Sequence, residues 1–502
     1  MITKYLTDIK KEFSGYSKEK LLKDLMAGIT VAAVALPLAL AFGISCGADA
    51  AAGLVTAIVG GFVMSLFSGT SYQISGPTGA MTAVLVTVIA RYSLQGMFIT
   101  CFLAGIMLLF CGFFRLGRLV DYIPIPVITG FTSGIALVIA LGQIDNFFGT
   151  KSYGELTTQK VMSYFTSGFH VNLPNMLIGI GVIAIIILWP SKWNQKVPAS
   201  LIGIVFATIA VSFLNLDIPT VGQIPKSILL SNRLSFNEFS LGDLPWFLSP
   251  AFSVAILAMI ESLLCASSAS HMKKESYDPD RELVSQGIGN ILLPFLGGVP
   301  ATSAIARTSV GIKSGGQTRL TGMFQSLILL LCVFLISPIL QNLPLSALAG
   351  VLMVTAFRMN DWEIIHQYFS KKLKGPIVKY LATMIATVVF DLTLAIVLGI
   401  IVAIIVFVIN ISSIDITSAK VENNKLHTKD ENVEALFQNA LVVYITGPMF
   451  FMNSQKLIRK LEEIQGYRTV ILSIRGVPLI DVSAIAVLSD YFDECTQSGI
   501  NL

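Results

Sequence analysis

Charge is what this sequence has least of. Asp, Glu, Lys and Arg make up 13% of its 502 residues, against about 25% in ordinary soluble domains. Hydrophobic residues account for 54%, and the mean hydropathy is +0.76. That balance excludes a soluble enzyme. Cysteine is sparse too: Cys46, Cys101, Cys111, Cys265, Cys332 and Cys495 are scattered, mostly in apolar runs, without a CxxC pair. With only four histidines and no cluster at metal-ligand spacing, neither structural disulfides nor a bound metal is expected, and no cofactor is implied. The spans hold no acidic pair and no Ser/His constellation, so a membrane enzyme is not expected either. A net charge of +4 is small for this length and does not point to nucleic acid. Residues 1–23 are polar and lysine-rich, and the apolar run behind them is too long for a signal-peptide core. They read as a cytoplasmic amphipathic lead-in.

What the chain has instead is a series of apolar runs, each near the length that crosses a hydrocarbon core of roughly 30 Å. They fall near 25–45, 51–67, 77–90, 97–114, 123–142, 174–189 and 197–214, then near 250–268, 283–296, 301–311, 320–339, 344–357, 376–390 and 392–411. The total is about fourteen spans. Lys and Arg should crowd the cytoplasmic loops. With the N-terminus inside, the inward loops hold Arg115, Arg118, Lys192, Lys196, Lys273, Lys274, Arg281, Lys313, Arg319, Lys371, Lys372 and Lys374, whereas the outward loops hold Arg91, Lys151, Lys160, Lys226 and Arg233. This bias places both ends in the cytoplasm.

The polar segment Asn215–Ser249 divides the spans into residues 24–214 and 250–411, two groups of about seven, and an odd number per group turns the second upside down relative to the first. Matched positions look alike: the third span follows Gly76-Pro77-Thr78-Gly79 and the tenth follows Gly297-Gly298-Val299-Pro300-Ala301-Thr302-Ser303. Both spans are short and begin at a Gly/Pro break. After Ile411 the pattern alternates: strand 440–446, helix 454–464, strand 468–474, helix 482–495. That alternation describes a small cytoplasmic α/β domain, here expected over 433–502 and without its last elements.

A helix N-terminus offers unpaired N–H groups and a partial positive charge, which suit an anion. The first such end would lie at Thr78, Gly79 and Ala80, the second at Ile305, Ala306 and Arg307, with the hydroxyls of Thr78, Thr302 and Ser303 as further donors. Arg307 is a charge at bilayer depth, where about 2.5–3.5 kcal/mol of insertion cost calls for a cavity or a partner. Glu261 sits in the apolar stretch 252–266 with no basic neighbour one turn away. A carboxyl that is neutral or charged according to access is a natural proton-coupling site; the bland alternative is a permanent ion pair with Arg307. Pro37 should unsettle the first span, and Phe42 is placed to wall a pocket. Gly130 and Gly134 have the spacing of a close helix contact. Asp24 reads as a helix cap, and Asp391 as a solvated residue at a span end.

Several of these segments resemble one family, the SulP/SLC26 inorganic anion transporters, or sulfate permeases. ALPLALAFG (35–43), GLVTAIVGG (53–61) and SGPTGAMTA (75–83) look like its first three spans, and PIPVITGFTSGIALVIALGQ from Pro124 like its fifth. ELVSQGIGN (282–290) and GGVPATSAIARTSVGIKSGGQTRLTG (297–322) look like its ninth and tenth. The piece from about Val433 is similar to a STAS domain.

The resemblance implies an all-α polytopic membrane protein of seven plus seven inverted spans. Its core domain would hold spans one to four and eight to eleven, and its gate domain the rest, as in nucleobase symporters of the related fold. It also implies an elevator-like movement of core against gate, a homodimer, and an anion site at Phe42, Thr78, Gly79, Ile305, Ala306 and Arg307. Glu261 matches the acidic position of span eight. Sodium-coupled bicarbonate relatives tend to place Asp with a nearby Thr there, while this chain has Glu261 and Cys265, which favours protons over sodium. In the STAS piece Asp481 is followed by Val482, and Ser483 comes one place late for the phosphoserine of soluble relatives, so partner docking or dimer support is the expected role. The resulting expectation is a secondary active carrier in the cell's inner membrane. Its cargo would be sulfate, bicarbonate or a dicarboxylate, coupled to protons; the alternatives are a sodium-coupled bicarbonate transporter, an uncoupled anion exchanger or channel, and a nucleobase symporter.

Overall fold

The computed structural model describes all residues except 1, 155–156, 167, 191–192, 194–196, 236–241, 243, 391, 422–438 and 465. Lys192, Lys196, Asp391 and the start of the expected tail domain at 433 therefore lie outside the described residues. Two units, 1–400 and 401–502, are each internally packed.

Unit 401–502 ends in a small α/β fold. Strands β3 (Asp415–Lys420), β4 (Ala440–Thr446) and β5 (Thr469–Gly476) form one sheet in that order, β3 antiparallel and β5 parallel to β4. The helices Ser454–Glu462 and Val482–Gln497 follow β4 and β5. Leu441, Val443, Ile445, Leu457, Leu461 and Val470 form its core. Strands and helices fall where the alternation of apolar and polar residues put them; β3, almost wholly exposed and mixed in composition, carried no such signal. Asp481 caps the last helix by accepting from the Ala484 N–H at 2.9 Å and also accepts from Phe451 N–H at 2.9 Å.

In unit 1–400 the first half comprises α1 (Ile2–Glu12), α2 (Lys18–Ser45), α3 (Ala50–Val55), α4 (Gly61–Phe67), α5 (Gly79–Phe113), α6 (Ile125–Gly142), α7 (Ile144–Phe148), α8 (Thr157–Thr166), α9 (Leu173–Leu188) and α10 (Ala199–Phe213). The second half comprises α11 (Leu244–Lys273), α12 (Pro279–Leu296), α13 (Ile305–Lys313), α14 (Leu320–Leu340), α15 (Leu345–Met359), α16 (Trp362–Ser370) and α17 (Lys374–Val389), and α18 (Leu392–Ile411) runs on into the second unit. Between α3 and α4 the second span relaxes into one wider π turn, Thr56–Gly60. The third and fourth spans are joined within α5 at Ser93, whose φ of 65° breaks the helical path.

Two packing groups stand out. α12 and α11 lie along α5, while α14 lies on α2 and α4 and α13 on α2. Separately, α17 packs on α6, and α15 and α10 on α9. In the second group a Cβ on Gly130 would sit 2.4 Å from the Tyr380 carbonyl oxygen and one on Gly134 2.4 Å from Thr387 Cβ, the close backbone approach that small residues permit.

One expectation is corrected. Ser17, not Asp24, caps α2, its Oγ accepting from Lys20 N–H at 3.3 Å. Asp24 is wholly buried and accepts from Tyr16 Oη (2.6 Å), the N–H groups of Gln317 (2.6 Å) and Thr318 (3.0 Å), and the hydroxyls of Thr318 (2.6 Å) and Thr321 (2.9 Å). A carboxylate can be buried at this cost only when its lone pairs are filled; here it stitches the first span to the start of α14. The lead-in helix α1 is held similarly, by Lys4–Asp278, Asp8–Arg281 and Glu12–Arg319 pairs at 2.6, 2.6 and 2.7 Å.

Candidate functional site

A helix broken inside an apolar layer leaves backbone N–H and C=O groups that water cannot reach, each costing several kcal/mol unless bonded. The two breaks solve this by pairing with each other. β1 (Ser75–Gly76) and β2 (Thr302–Ser303) form an antiparallel pair, Ser75 opposite Ser303 and Gly76 opposite Thr302. The Ala304 N–H donates to the Ile74 carbonyl at 3.0 Å and Thr308 Oγ1 accepts from Ile74 N–H at 3.0 Å. Ser75 and Ser303 share a hydroxyl bond of 2.8 Å, and the Gln286 amide on α12 donates to both. One turn on, Asn290 clamps Ala301 by accepting from its N–H (2.8 Å) and donating to its carbonyl (2.9 Å). Thr56, in the π turn, does the same for Val299.

This corrects a second expectation. Thr302 and Ser303 are fully buried and turned into the scaffold, Thr302 Oγ1 lying 2.8 Å from Ser262 Oγ, so neither offers a donor to an open space.

Just beyond the breaks, α5 and α13 begin at the edge of a cavity of about 390 Å³. Phe42, Thr78, Gly79, Glu261, Ile305, Ala306 and Arg307 all line it. Thr78 caps α5, its Oγ1 accepting from Met81 N–H at 3.3 Å, and donates its own proton to Glu261 Oε2 at 2.9 Å. Glu261 is half-buried, held by Thr78, and forms no ion pair with Arg307. Arg307 does not reach for water: it is 1% exposed, and its Nη2 donates to the Pro77 carbonyl at 2.9 Å. Its Nη1 has no hydrogen-bond partner among the described residues. Gly76, with a φ of 154°, makes room for this guanidinium, since a Cβ there would lie 2.6 Å from Nη1. Gly79 likewise has no space for a side chain, with Ile139 Cδ1 2.3 Å and Phe42 Cε1 3.2 Å from where a Cβ would sit. Phe42, 5% exposed, lines the cavity, and Pro37 lies inside a helix that runs on from Lys18 to Ser45 rather than breaking there.

The start of α13 differs from that of α5: no side chain caps it at Ala304, and among the described residues its first N–H groups have no side-chain acceptor. A short apolar-walled space bordered by two helix starts, two guanidinium groups and one carboxyl can hold a small anion and respond to a proton.

Two kinds of residue escaped the sequence reading. Gln286 and Asn290 look like ordinary polar residues within span nine, and only their spacing of four residues hinted that they share a face. Arg358, which directly follows the apolar run 344–357 and drew no notice there, lines the cavity from α15.

Comparison with known proteins identifies the family. The sulfate permease family model matches residues 21–374 and a STAS domain model matches residues 433–502. The chain is 34% identical over 496 residues to the putative sulfate transporter YvdB of Bacillus subtilis, covering 95% of this chain and 90% of that one. It is 31% identical to the bicarbonate transporter BicA of Synechocystis, covering 95% and 86%. The solved transmembrane domain of a cyanobacterial bicarbonate transporter BicA superposes with a TM-score of 0.69 at 30% identity, covering 75% of this chain and 97% of that one. Murine Solute Carrier 26 family member A9 shares the fold, with a TM-score of 0.80 at 16% identity over 97% of this chain and 85% of its own. With its paired breaks, its cavity and its C-terminal STAS domain, the chain belongs to the sulfate permease family of membrane anion transporters.

Proposed function

We propose that the cavity is the cargo site, that the cargo is a small oxyanion such as sulfate or bicarbonate, and that Glu261 couples its movement to a proton. The observation carrying this reading is that the two helix starts, the buried Arg307 and Glu261 border one cavity. Thr78, Gly79, Ile305, Ala306 and Arg307 then bind the anion, and Phe42 closes it on one side. The names of YvdB and BicA, a putative sulfate and a bicarbonate transporter, support these two cargos.

The helices bearing the breaks pack together as one group, spans one to four and eight to eleven, and the opposite wall comes from α6, α9, α10 and α15. Sliding of the first group along the second carries the site across the membrane in an elevator movement. Spans 1–7 in 24–214 and 8–14 in 250–411 form the two inverted halves, with both ends in the cytoplasm of a bacterial-type inner membrane. The protein works as a homodimer, and the STAS domain serves docking.

Uptake of radiolabelled sulfate and bicarbonate into proteoliposomes, with and without an inward proton gradient, tests the reading. Accumulation above equilibrium that needs the gradient supports it. Accumulation driven by sodium alone assigns the coupling to sodium, and steady conductance far above carrier turnover makes the protein a channel.

A further inference from the structure

The cavity is bordered by three charged residues, and one of them has no part in the reading above. Arg307 and Glu261 stand on α13 and α11, in the group that carries the breaks; Arg358 stands on α15, across the cavity. Its guanidinium has five N–H donors and spends one on a long 3.5 Å bond to the Ile186 carbonyl near the end of α9. That bond is its only one among the described residues, and no carboxylate pairs with it. On the same wall, Ser200 lies in the first turn of α10, whose start at Pro198 also lacks a side-chain cap. The remainder of that wall is apolar, Val351 and Val354 among it.

An arginine is always charged, so the cavity holds one positive charge in excess while Glu261 is ionised and two once Glu261 carries a proton. A monoanion needs only Arg307. A dianion reaches balance when it meets both arginines with Glu261 neutral, which is the state in which a proton travels with it.

Resting on the proposed function, we infer that Arg358 is a second anion contact on the opposite wall and selects doubly charged tetrahedral oxyanions, sulfate first, over monoanions. Because it belongs to the other helix group, it meets the cargo only when the site faces this end of the cavity. It therefore sets affinity on one side of the membrane more than on the other.

The test is uptake and zero-trans efflux of sulfate and of bicarbonate in proteoliposomes for wild type, Arg358→Gln and Arg358→Lys. Arg358→Gln is expected to raise the sulfate KM about tenfold on the side to which Arg358 faces, to change the bicarbonate KM less than about threefold, and to be largely restored by Lys. Equal losses for both anions in Arg358→Gln, or no change for either, overturn the assignment, as does wild-type uptake confined to bicarbonate. The last three results leave the proposed function standing. Failure of the wild type to take up either anion brings down the proposed function and this assignment together.

Discussion

The starts of α5 and α13 occupy matched places in the two halves, but they are built differently. The first is closed: Thr78 Oγ1 accepts a hydrogen bond from the helix N–H of Met81 and donates one to Glu261 of the other half. The second is open, without a cap at Ala304, and carries Arg307, which reaches across to the Pro77 carbonyl at the first break. Each half thus lends a polar group to the other. Repetition supplied two helix ends, and they are unequal: one is capped by the residue that holds the carboxyl, and the other has no side-chain cap.

Removing the cross-link from the open side is expected to have the largest effect. Arg307→Ala strands the Pro77 carbonyl in the apolar interior, takes away a buried cation at the site and leaves a void beside Gly76. Anion uptake should fall by at least about a hundredfold, as when one partner of a buried charged bond is lost. Arg307→Lys keeps the charge but not the fork that meets Pro77, and should recover only part of the loss. Binding of radiolabelled sulfate to purified protein separates lost affinity from lost movement; unchanged binding in Arg307→Ala removes Arg307 from the site.

Gly76→Ala attacks the same contact from the other half. A Cβ would meet Arg307 Nη1 at 2.6 Å in a backbone conformation that L residues rarely adopt, so uptake should fall by more than about tenfold with the melting temperature lowered by several degrees. A variant with normal uptake would mean that the guanidinium has room to move.

On the closed side, Glu261→Gln tests coupling rather than binding. The amide keeps the shape and can still accept from Thr78, so anion exchange at equal pH should persist while accumulation against a gradient disappears. Accumulation that survives unchanged removes Glu261 from the proton path. Thr78→Val is milder: it removes both the cap and the donor to Glu261, and the lost cap alone is worth about 1 kcal/mol. A shift in the pH dependence of uptake, absent from a simple stability defect, is the diagnostic readout.

How far this comparison could be seen in the sequence depends on whether a feature is local. The apolar runs, both breaks, Arg307 and Glu261 declare themselves within a few residues, because a charge or a Gly/Pro break inside an apolar run has no bland neighbourhood to hide in. The closure of the breaks does not. Ser75 with Ser303, Gln286 with both, and Thr56 with Val299 join residues that are far apart in the chain. No local pattern records such partners. Asp24 failed for the same reason: its neighbours suggested a cap, but its ligands lie on the loop before α14. Arg358 failed for a different one, since a cation just past an apolar run looks alike whether it faces a loop or a cavity.

The smallest predicted effect bears most directly on the inequality between the two helix starts. Ala304→Ser gives α13 the cap it lacks, at a position whose φ of −109° and ψ of 115° already suit an N-cap. The new hydroxyl would accept from the same N–H groups that are otherwise free for an anion, so stability and affinity should move in opposite directions. The melting temperature without anion should rise, in line with about 0.5–1 kcal/mol for a cap, while the sulfate Kd should weaken by about threefold. A cap that raises stability and leaves Kd untouched would show that the anion does not use the backbone of α13, and would shift the binding role onto the arginine side chains and the start of α5.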